Sequence, residues 1–340
     1  MGTKIIKINP YDIDNAALAQ AGEILRGGGL VAFPTETVYG LGANALDNDA
    51  VEKIYSAKGR PSDNPLIVHV HDLAQLGEIV QVNDTAHKLI QAFWPGPLTL
   101  VLPSLDKVAK RVSGGLDTVA VRMPKNKVAQ AFLQTCNLPV AAPSANISGR
   151  PSPTDSAHVI ADLDGRIDAI IDGGSCDFGI ESTVLDVVGD VPIILRPGSI
   201  TAKDIACVVG DVKAATMADE QSDIAPKSPG MKYKHYAPMA KVIAFEGNLK
   251  QAQDAIHSII GGKKTGVFCR KNIYPNVDHV IEWGMDMQGA AHLLFSALRE
   301  FDDRGVDLIL CEPMDHTPLG DSIRNRLYKA ANHCIKHIEK

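Results

Sequence analysis

The sequence predicts an α/β protein in two parts, a mixed and irregular sheet followed by a small doubly wound domain. Three observations carry that reading. Short apolar runs alternate with stretches of helical period from the start. Prolines follow or interrupt several of the strand-like runs, which argues against a clean series of parallel β-α-β units. Beyond Val209 the composition turns to Asp, Lys, Ser and Pro without sustained periodicity, and a second alternating pattern then begins.

Taken in order, Ala16 to Arg26 reads as a helix because its apolar residues recur at helical spacing and it stops at Gly27-Gly28-Gly29. Leu30 to Phe33 is a buried strand by its unbroken apolar run. Further strands are expected at Leu66 to Val70, Leu98 to Leu102, Thr118 to Val121, Val140 to Ala142, Ala169 to Ile171 and Ser182 to Val188, with helices at Asp49 to Ala57 and Thr85 to Phe93. Pro34, Pro65, Pro97, Pro124 and Pro143 punctuate this part. Asp211 to Pro238 reads as an interdomain linker. After it come Val242 to Phe245, a helix near Gln251 to Ile260, Gly266 to Cys269, a long helix from Gln288 to Phe301, Asp307 to Cys311, and a last helix from Asp321 to His333. No internal repeat is present, which excludes a solenoid.

A chain of 340 residues exceeds what one core usually serves, so two domains are expected. A content of 45% hydrophobic and 22% charged residues is that of a folded globular protein. The formal net charge of -6 argues against a surface built throughout for nucleic acid, while leaving room for a local basic cleft. The six cysteines are widely spaced with no C-x-x-C pair, the usage of reduced, buried thiols. Asn9, Asp12 and Asp14 interrupt any secretory apolar core, and no run approaches the ~20 apolar residues that span a bilayer. A cytoplasmic protein with no membrane partner is the expectation.

The familiar nucleotide fingerprints fail. Gly261-Gly262-Lys263-Lys264-Thr265 has the wrong spacing for a phosphate loop and reads as a basic turn. Gly40-Leu41-Gly42-Ala43-Asn44-Ala45 matches G-x-G-x-x-A, but Pro34 breaks the strand that should precede it and the next helix starts too late. His69-Val70-His71 puts two imidazoles on one strand face, yet no cysteine or carboxylate cluster accompanies them, so a pocket-lining histidine is the better reading than a metal site.

Two loops carry more. In Ala57-Lys58-Gly59-Arg60-Pro61-Ser62-Asp63-Asn64-Pro65-Leu66 two cations flank a glycine ahead of a buried strand. Arg offers a rigid fork of donors and Lys a mobile point charge, a pair suited to clamping triphosphate oxygens; a solvated basic loop fits the composition equally well. Pro143 to Thr154 follows a strand with the hydroxyls of Ser144 and Ser152 and the amide of Asn146, as an anion-binding loop or an ordinary polar turn would. Arg122 and Arg196 each end an apolar strand, either as edge charges or as added positive charge for ATP and a carboxylate.

Together, Pro34-Thr35-Glu36-Thr37-Val38-Tyr39-Gly40-Leu41, Lys58 to Leu66, Trp94-Pro95-Gly96-Pro97-Leu98-Thr99, Pro143 to Thr154, Glu181-Ser182-Thr183-Val184 and Arg196-Pro197-Gly198 strongly resemble the YrdC-like family over nearly all of residues 1 to 210. Ser228 to Pro238 and the C-terminal pattern, including Leu319 to Leu327, extend the resemblance to that family's long, two-domain form. It implies a YrdC-like twisted mixed sheet with helices around a concave cleft over 1–210, a linker and active-site lid over 211–238, and a smaller Rossmann-like α/β domain over 239–340.

The implied activity is a nucleotidyltransferase reaction in which L-threonine, bicarbonate and ATP yield threonylcarbamoyl-AMP and pyrophosphate for tRNA modification. Mg2+ is held mainly by the ATP phosphates, with no protein metal site. Carried over by motif, the ATP contacts are Lys58, Arg60, Asn64, Thr118, Ser144, Asn146, Ser152, Arg196 and, from the lid, His235 and Tyr236. The L-threonine contacts are Thr37, His69, Arg122, Ala142 and Ser182, with Arg122 for the carboxylate and Lys58 and Arg60 as the catalytic cations. Further partners are tRNA and the downstream threonylcarbamoyl transferase. An RNA-binding module and a carbamoyl-adenylate-handling maturation enzyme are the alternatives, the first disfavoured by overall acidity.

Overall fold

The computed structural model describes residues 2–215 and 235–338, which divide into two compact units. Of the described residues, 2–148, 153–177 and 181–215 form the first unit, and 149–152, 178–180 and 235–338 the second. The span expected as a linker, 211–238, contributes a short edge strand at Lys213–Ala214, while 216–234 lie outside the described residues.

The first unit runs β1 (Lys4–Lys7), α1 (Asn15–Arg26), β2 (Val31–Phe33), β3 (Gly40–Asn44), α2 (Asn48–Lys58), β4 (Ile67–His69), α3 (Leu73–Ile79), α4 (Asp84–Phe93), β5 (Leu98–Pro103), α5 (Lys110–Ser113), β6 (Thr118–Arg122), α6 (Lys127–Cys136), β7 (Val140–Ala141), α7 (Ser156–Leu163), β8 (Ala169–Asp172), β9 (Thr183–Asp186), β10 (Ile193–Arg196), α8 (Ala202–Val209) and β11 (Lys213–Ala214). Its sheet has 11 strands in the order β1-β8-β2-β3-β7-β4-β6-β5-β9-β10-β11. Parallel pairs such as β4 with β6 and β5 with β9 alternate with antiparallel ones such as β3 with β7 and β5 with β6. The mixed sheet foretold by the prolines is present: Pro34, Pro65, Pro97, Pro124 and Pro143 each sit in a connection, and Pro103 ends β5.

Strand alternation sends side chains to two faces. Near one end of the sheet, Val31, Phe33, Val140 and Ile171 pack under α1 and α6, through Leu18, Leu25, Phe132 and Leu133. Val68, Leu100, Val121 and Leu185 point the other way, into the larger core with Val51 and Ile54 of α2 and Leu89 of α4. Helix starts follow local chemistry: Asp14 and Asp47 accept hydrogen bonds from the first free backbone amides of α1 and α2. Helix α2 stops at Gly59, whose φ of +61° is the left-handed conformation that favours glycine.

The G-x-G-x-x-A segment is itself strand β3, antiparallel to both β2 and β7. Its glycines serve close packing: a Cβ on Gly42 would lie 2.9 Å from Val140 and 3.1 Å from Phe33.

The second unit contains β12 (Lys241–Gly247), α9 (Leu249–Ile259), β13 (Thr265–Cys269), β14 (His279–Glu282), α10 (Met287–Asp303), β15 (Leu308–Cys311), α11 (Pro318–Ala330) and β16 (Ile335–Ile338). All its strand pairs are parallel, in the order β14-β13-β15-β12-β16. This is the parallel, helix-covered plan of a doubly wound domain with its first and fourth strands exchanged relative to the dinucleotide-binding order. Ala252 and Ile256 of α9 cover Ile243, Phe245, Val267 and Leu310 on one face. On the other, Phe301 of α10 lies against Gly266, where a Cβ would come within 2.5 Å of the ring.

Candidate active site

Period two decides which side chains of the first sheet share a face. Ile67 and His69 of β4, Thr118, Ala120 and Arg122 of β6, Thr99 and Val101 of β5, and Ser182 with Val184 at β9 project together. Ile67, Val101, Ala120, Val184 and Leu195 form a separate apolar strip on that face. Polar groups surround it, at odds with the rule that a sheet face buries only hydrocarbon.

Arg122 is buried, at 3% exposure. Its Nε donates to the Gly96 carbonyl at 3.2 Å and its Nη1 to Thr37 Oγ1 at 2.8 Å. Its Nη2 lies 2.7 Å from Glu36 Oε1 as an ion pair, without the alignment of a hydrogen bond. A guanidinium has five N–H donors, so three, one on Nη1 and both on Nη2, make no hydrogen bond among the described residues. Glu36, equally buried, also accepts from the Asn126 amide at 3.4 Å. Glu36 lies within the Pro34 to Leu41 motif but is not among the site residues expected from the sequence, because no spacing cue links that carboxylate to Arg122.

His69 is the register partner of Arg122. Burial, with the Arg122 charge added, lowers its pKa to about 3, so the ring is neutral at pH 7. Its Nδ1 is buried with no hydrogen-bond partner among the described residues, and Phe33 meets the ring edge-on at 5.9 Å. His71 stands beyond the strand end beside Asp72 at 3.2 Å, and no group of three or more metal-ligating side chains exists among the described residues.

Ser182 Oγ lies 2.8 Å from Thr99 Oγ1 and accepts from Arg196 Nη2 at 3.2 Å, while Arg196 Nε donates to the Ser182 carbonyl at 3.1 Å. Thr99 is a second site residue that sequence reasoning passed over, though alternation from Val101 marks it. Ala142 is buried at the end of β7, its amide donating to the Ile67 carbonyl at 2.8 Å.

The two loops singled out from the sequence meet. Lys58, the last residue of α2 and 1% exposed, donates through Nζ to the carbonyls of Ser144 at 2.6 Å and Asn146 at 2.5 Å. Ser144 Oγ donates to Asn146 Oδ1 at 2.5 Å, and the Ser148 amide donates to the Lys58 carbonyl. Arg60 Nη2 reaches the Pro65 carbonyl at 3.3 Å. Asn64 is buried with no partner for its Oδ1 among the described residues. Thr118 pairs with Pro103 at the start of β6, the strand end away from Arg122.

Ser152, His235 and Tyr236 belong to the second unit. Tyr236 is a bulky residue at φ +64°, a conformation that costs roughly 1–2 kcal/mol for an L side chain. Its ring lies 5.0 Å from that of Phe295 and 5.5 Å from that of His235, and the next amide, of Ala237, donates to the Gly149 carbonyl. These contacts offset the strain.

A Sua5–YciO–YrdC family model described as telomere recombination matches residues 23–198, and one described as threonylcarbamoyl-AMP synthase, C-terminal domain, matches residues 200–332. The chain is 48% identical over 322 residues to the threonylcarbamoyl-AMP synthase of Bacillus subtilis (strain 168), with 92% of each chain covered. It is 46% identical over 321 residues to that of Pyrococcus abyssi (strain GE5 / Orsay), covering 93% of this chain and 94% of the relative. Its fold is similar to that in a crystal structure of P. abyssi Sua5 complexed with L-threonine, with a TM-score of 0.95 and 45% identity over 99% of this chain and 100% of that one.

Proposed function

The chain belongs to the threonylcarbamoyl-AMP synthase family, and on that premise we propose that it condenses L-threonine, bicarbonate-derived CO2 and ATP into threonylcarbamoyl-AMP and pyrophosphate. The threonine amine adds to CO2 as a carbamate. A carbamate oxygen then attacks the α-phosphorus of ATP, forming one P–O bond as the bond to the pyrophosphate leaving group breaks. No protein nucleophile takes part, so rate comes from positioning and from charge aimed at the phosphoryl group.

In this reading Arg122 turns its spare donors to the threonine carboxylate, and Thr37, Ala142 and Ser182 surround the rest of the amino acid. His69 is neutral, so it adds no second cation beside Arg122 and presents one ring nitrogen as a donor and the other as an acceptor. Lys58, Arg60, Asn64, Thr118, Ser144, Asn146 and Arg196 hold ATP, with Ser152, His235 and Tyr236 completing its contacts. The strip from Ile67 to Leu195 offers the adenine ring an apolar bed. Magnesium enters as the MgATP substrate complex, its shell filled largely by phosphate oxygens and water. The activated product passes to a transferase that modifies tRNA, in the cytoplasm; among the described residues no helix is long and apolar enough to cross a membrane.

The observation that carries this reading is Arg122, a buried guanidinium with donors to spare beside the Thr37 hydroxyl. Pyrophosphate release from purified protein tests it. Release that requires both L-threonine and bicarbonate is the expected result, and release indifferent to threonine removes the proposal. Arg60→Ala is expected to lose turnover with the fold intact by circular dichroism.

A further inference from the structure

We infer that one buried face of α10, through Arg299 and Asp302, positions the two segments of the second unit that carry Ser152 and Tyr236, and so acts on ATP binding through them. The inference rests on the proposed assignment of Ser152 and Tyr236 to ATP, and adds to it two positioning residues and a role for the second unit.

Phe295, Arg299 and Asp302 recur at helical spacing and share one side of α10. All three are buried, at 0%, 3% and 6% exposure, although Phe301, which meets the sheet at Gly266, lies about 120° from Phe295 round the helix. The helix therefore buries two faces, and one of them carries two charges. Buried charges are costly unless bonded, and here backbone groups bond both. Arg299 Nη2 donates to the Pro151 carbonyl at 2.5 Å. The Asp302 carboxylate accepts from the Met239 amide at 2.9 and 3.0 Å and from the Ala240 amide at 3.2 Å. Phe295 meets the Tyr236 ring, and the Ala237 amide closes the circuit by donating to the Gly149 carbonyl at 2.8 Å. Residues 149–152 and 236–240 are thus tied to the helix and to each other within one compact unit. An apolar face would bury them as well but let them slide; a charge matched to one carbonyl or one pair of amides fixes their register. The left-handed φ of Tyr236 is an independent sign, because a strained residue persists where its surroundings over-determine it, most often at a functional site. Ser152 directly follows the anchored carbonyl and is itself buried, and the ring of Pro151 restricts the backbone at the anchor.

The experiment measures KM for ATP and for L-threonine, each with the other substrates saturating, by pyrophosphate release from the full chain. Arg299→Met keeps the buried hydrocarbon and removes the donor. The KM for ATP is expected to rise about tenfold or more with that for threonine within about twofold, since a small displacement of a positioning group is felt at the site. Arg299→Lys, which returns a cation and a donor, is expected to recover most of the loss. Asp302→Ala frees the Met239 and Ala240 amides without touching a cation, and the same split is expected at about threefold. In a Ser152→Ala background Arg299→Met is expected to add less than about twofold, because both changes act through one segment. Full additivity there overturns the inference, and so does a normal KM for ATP in either α10 variant when it melts normally. A fall in kcat with both KM values unchanged, or an equal rise in both, marks a purely structural role and overturns it too. If Arg299→Met does not fold, Asp302→Ala carries the test. Ser152→Ala and Tyr236→Ala separate the two levels. If both leave the KM for ATP unchanged, the proposed ATP assignment fails as well, whereas raised values beside normal α10 variants sink this inference alone.

Discussion

Glu36 and Arg122 face each other with side chains 2% and 4% exposed, and a buried pair behaves differently when half of it is removed than when all of it is. Glu36→Ala leaves the guanidinium without its counter-charge, and a loss of about 3–5 kcal/mol in urea unfolding is expected. Replacing both residues by leucine and methionine is expected to regain most of that loss while abolishing threonine-dependent turnover; a double variant no more stable than the single one contradicts this account. His69 gives a pH prediction. Its folded pKa of about 3 lies below the ordinary 6.5, so between those values the unfolded chain binds the extra proton. Its contribution is complete above pH 6.5 and is lost as pH falls toward 3. His69→Gln is expected to flatten that part of the stability profile measured by denaturant titration at successive pH values. The sequence marked His69 and Arg122 by their place in strands, but nothing local announced that Glu36 would neutralise one and that Arg122 would help keep the other uncharged.

At the scale of elements, the end of α2 links structure to chemistry. Gly59 ends the helix in a left-handed turn with open space where a Cβ would stand, so an alanine there is penalised by conformation alone. Gly59→Ala is expected to cost roughly 1 kcal/mol in thermal unfolding. It is also expected to raise the KM for ATP several-fold, because Lys58 and Arg60 flank the turn; an unchanged KM would detach the turn from nucleotide binding. The strongly periodic elements, α1, α2, α4 and the strands β4 to β6, were legible because their apolar spacing matches what they bury. Helix α6 carries the same signal in Val128, Phe132, Leu133 and Cys136 and was readable in principle. Strand β3 was not, since Gly40 and Gly42 have no side chains to show alternation and owe their place to neighbours across the sheet. Edge strands β1, β11 and β14 expose much of their length, and only pairing defines them.

Across the whole molecule, two sets of apolar side chains build two units. Leu310 is fully buried in the second, and Leu310→Ala is expected to cost about 2–5 kcal/mol. Hydrogen exchange is expected to rise over 241–338 while the amides of β4 to β6 stay protected; loosening of both units together would show a single cooperative core. Because no metal-ligating group of three exists among the described residues, EDTA is expected to stop turnover by stripping MgATP without shifting the melting temperature. The amino-acid sequence alone determined the α/β class, the mixed character of the first sheet, and the loops at Lys58–Arg60 and Ser144–Asn146, because periodicity, proline placement and cation-glycine chemistry are local properties of a chain. Tertiary structure decided that Lys58 ties those two loops together and that Glu36 pairs with Arg122. Each of these depends on groups distant in sequence, brought together away from water, where a single partner fixes how a charge is met.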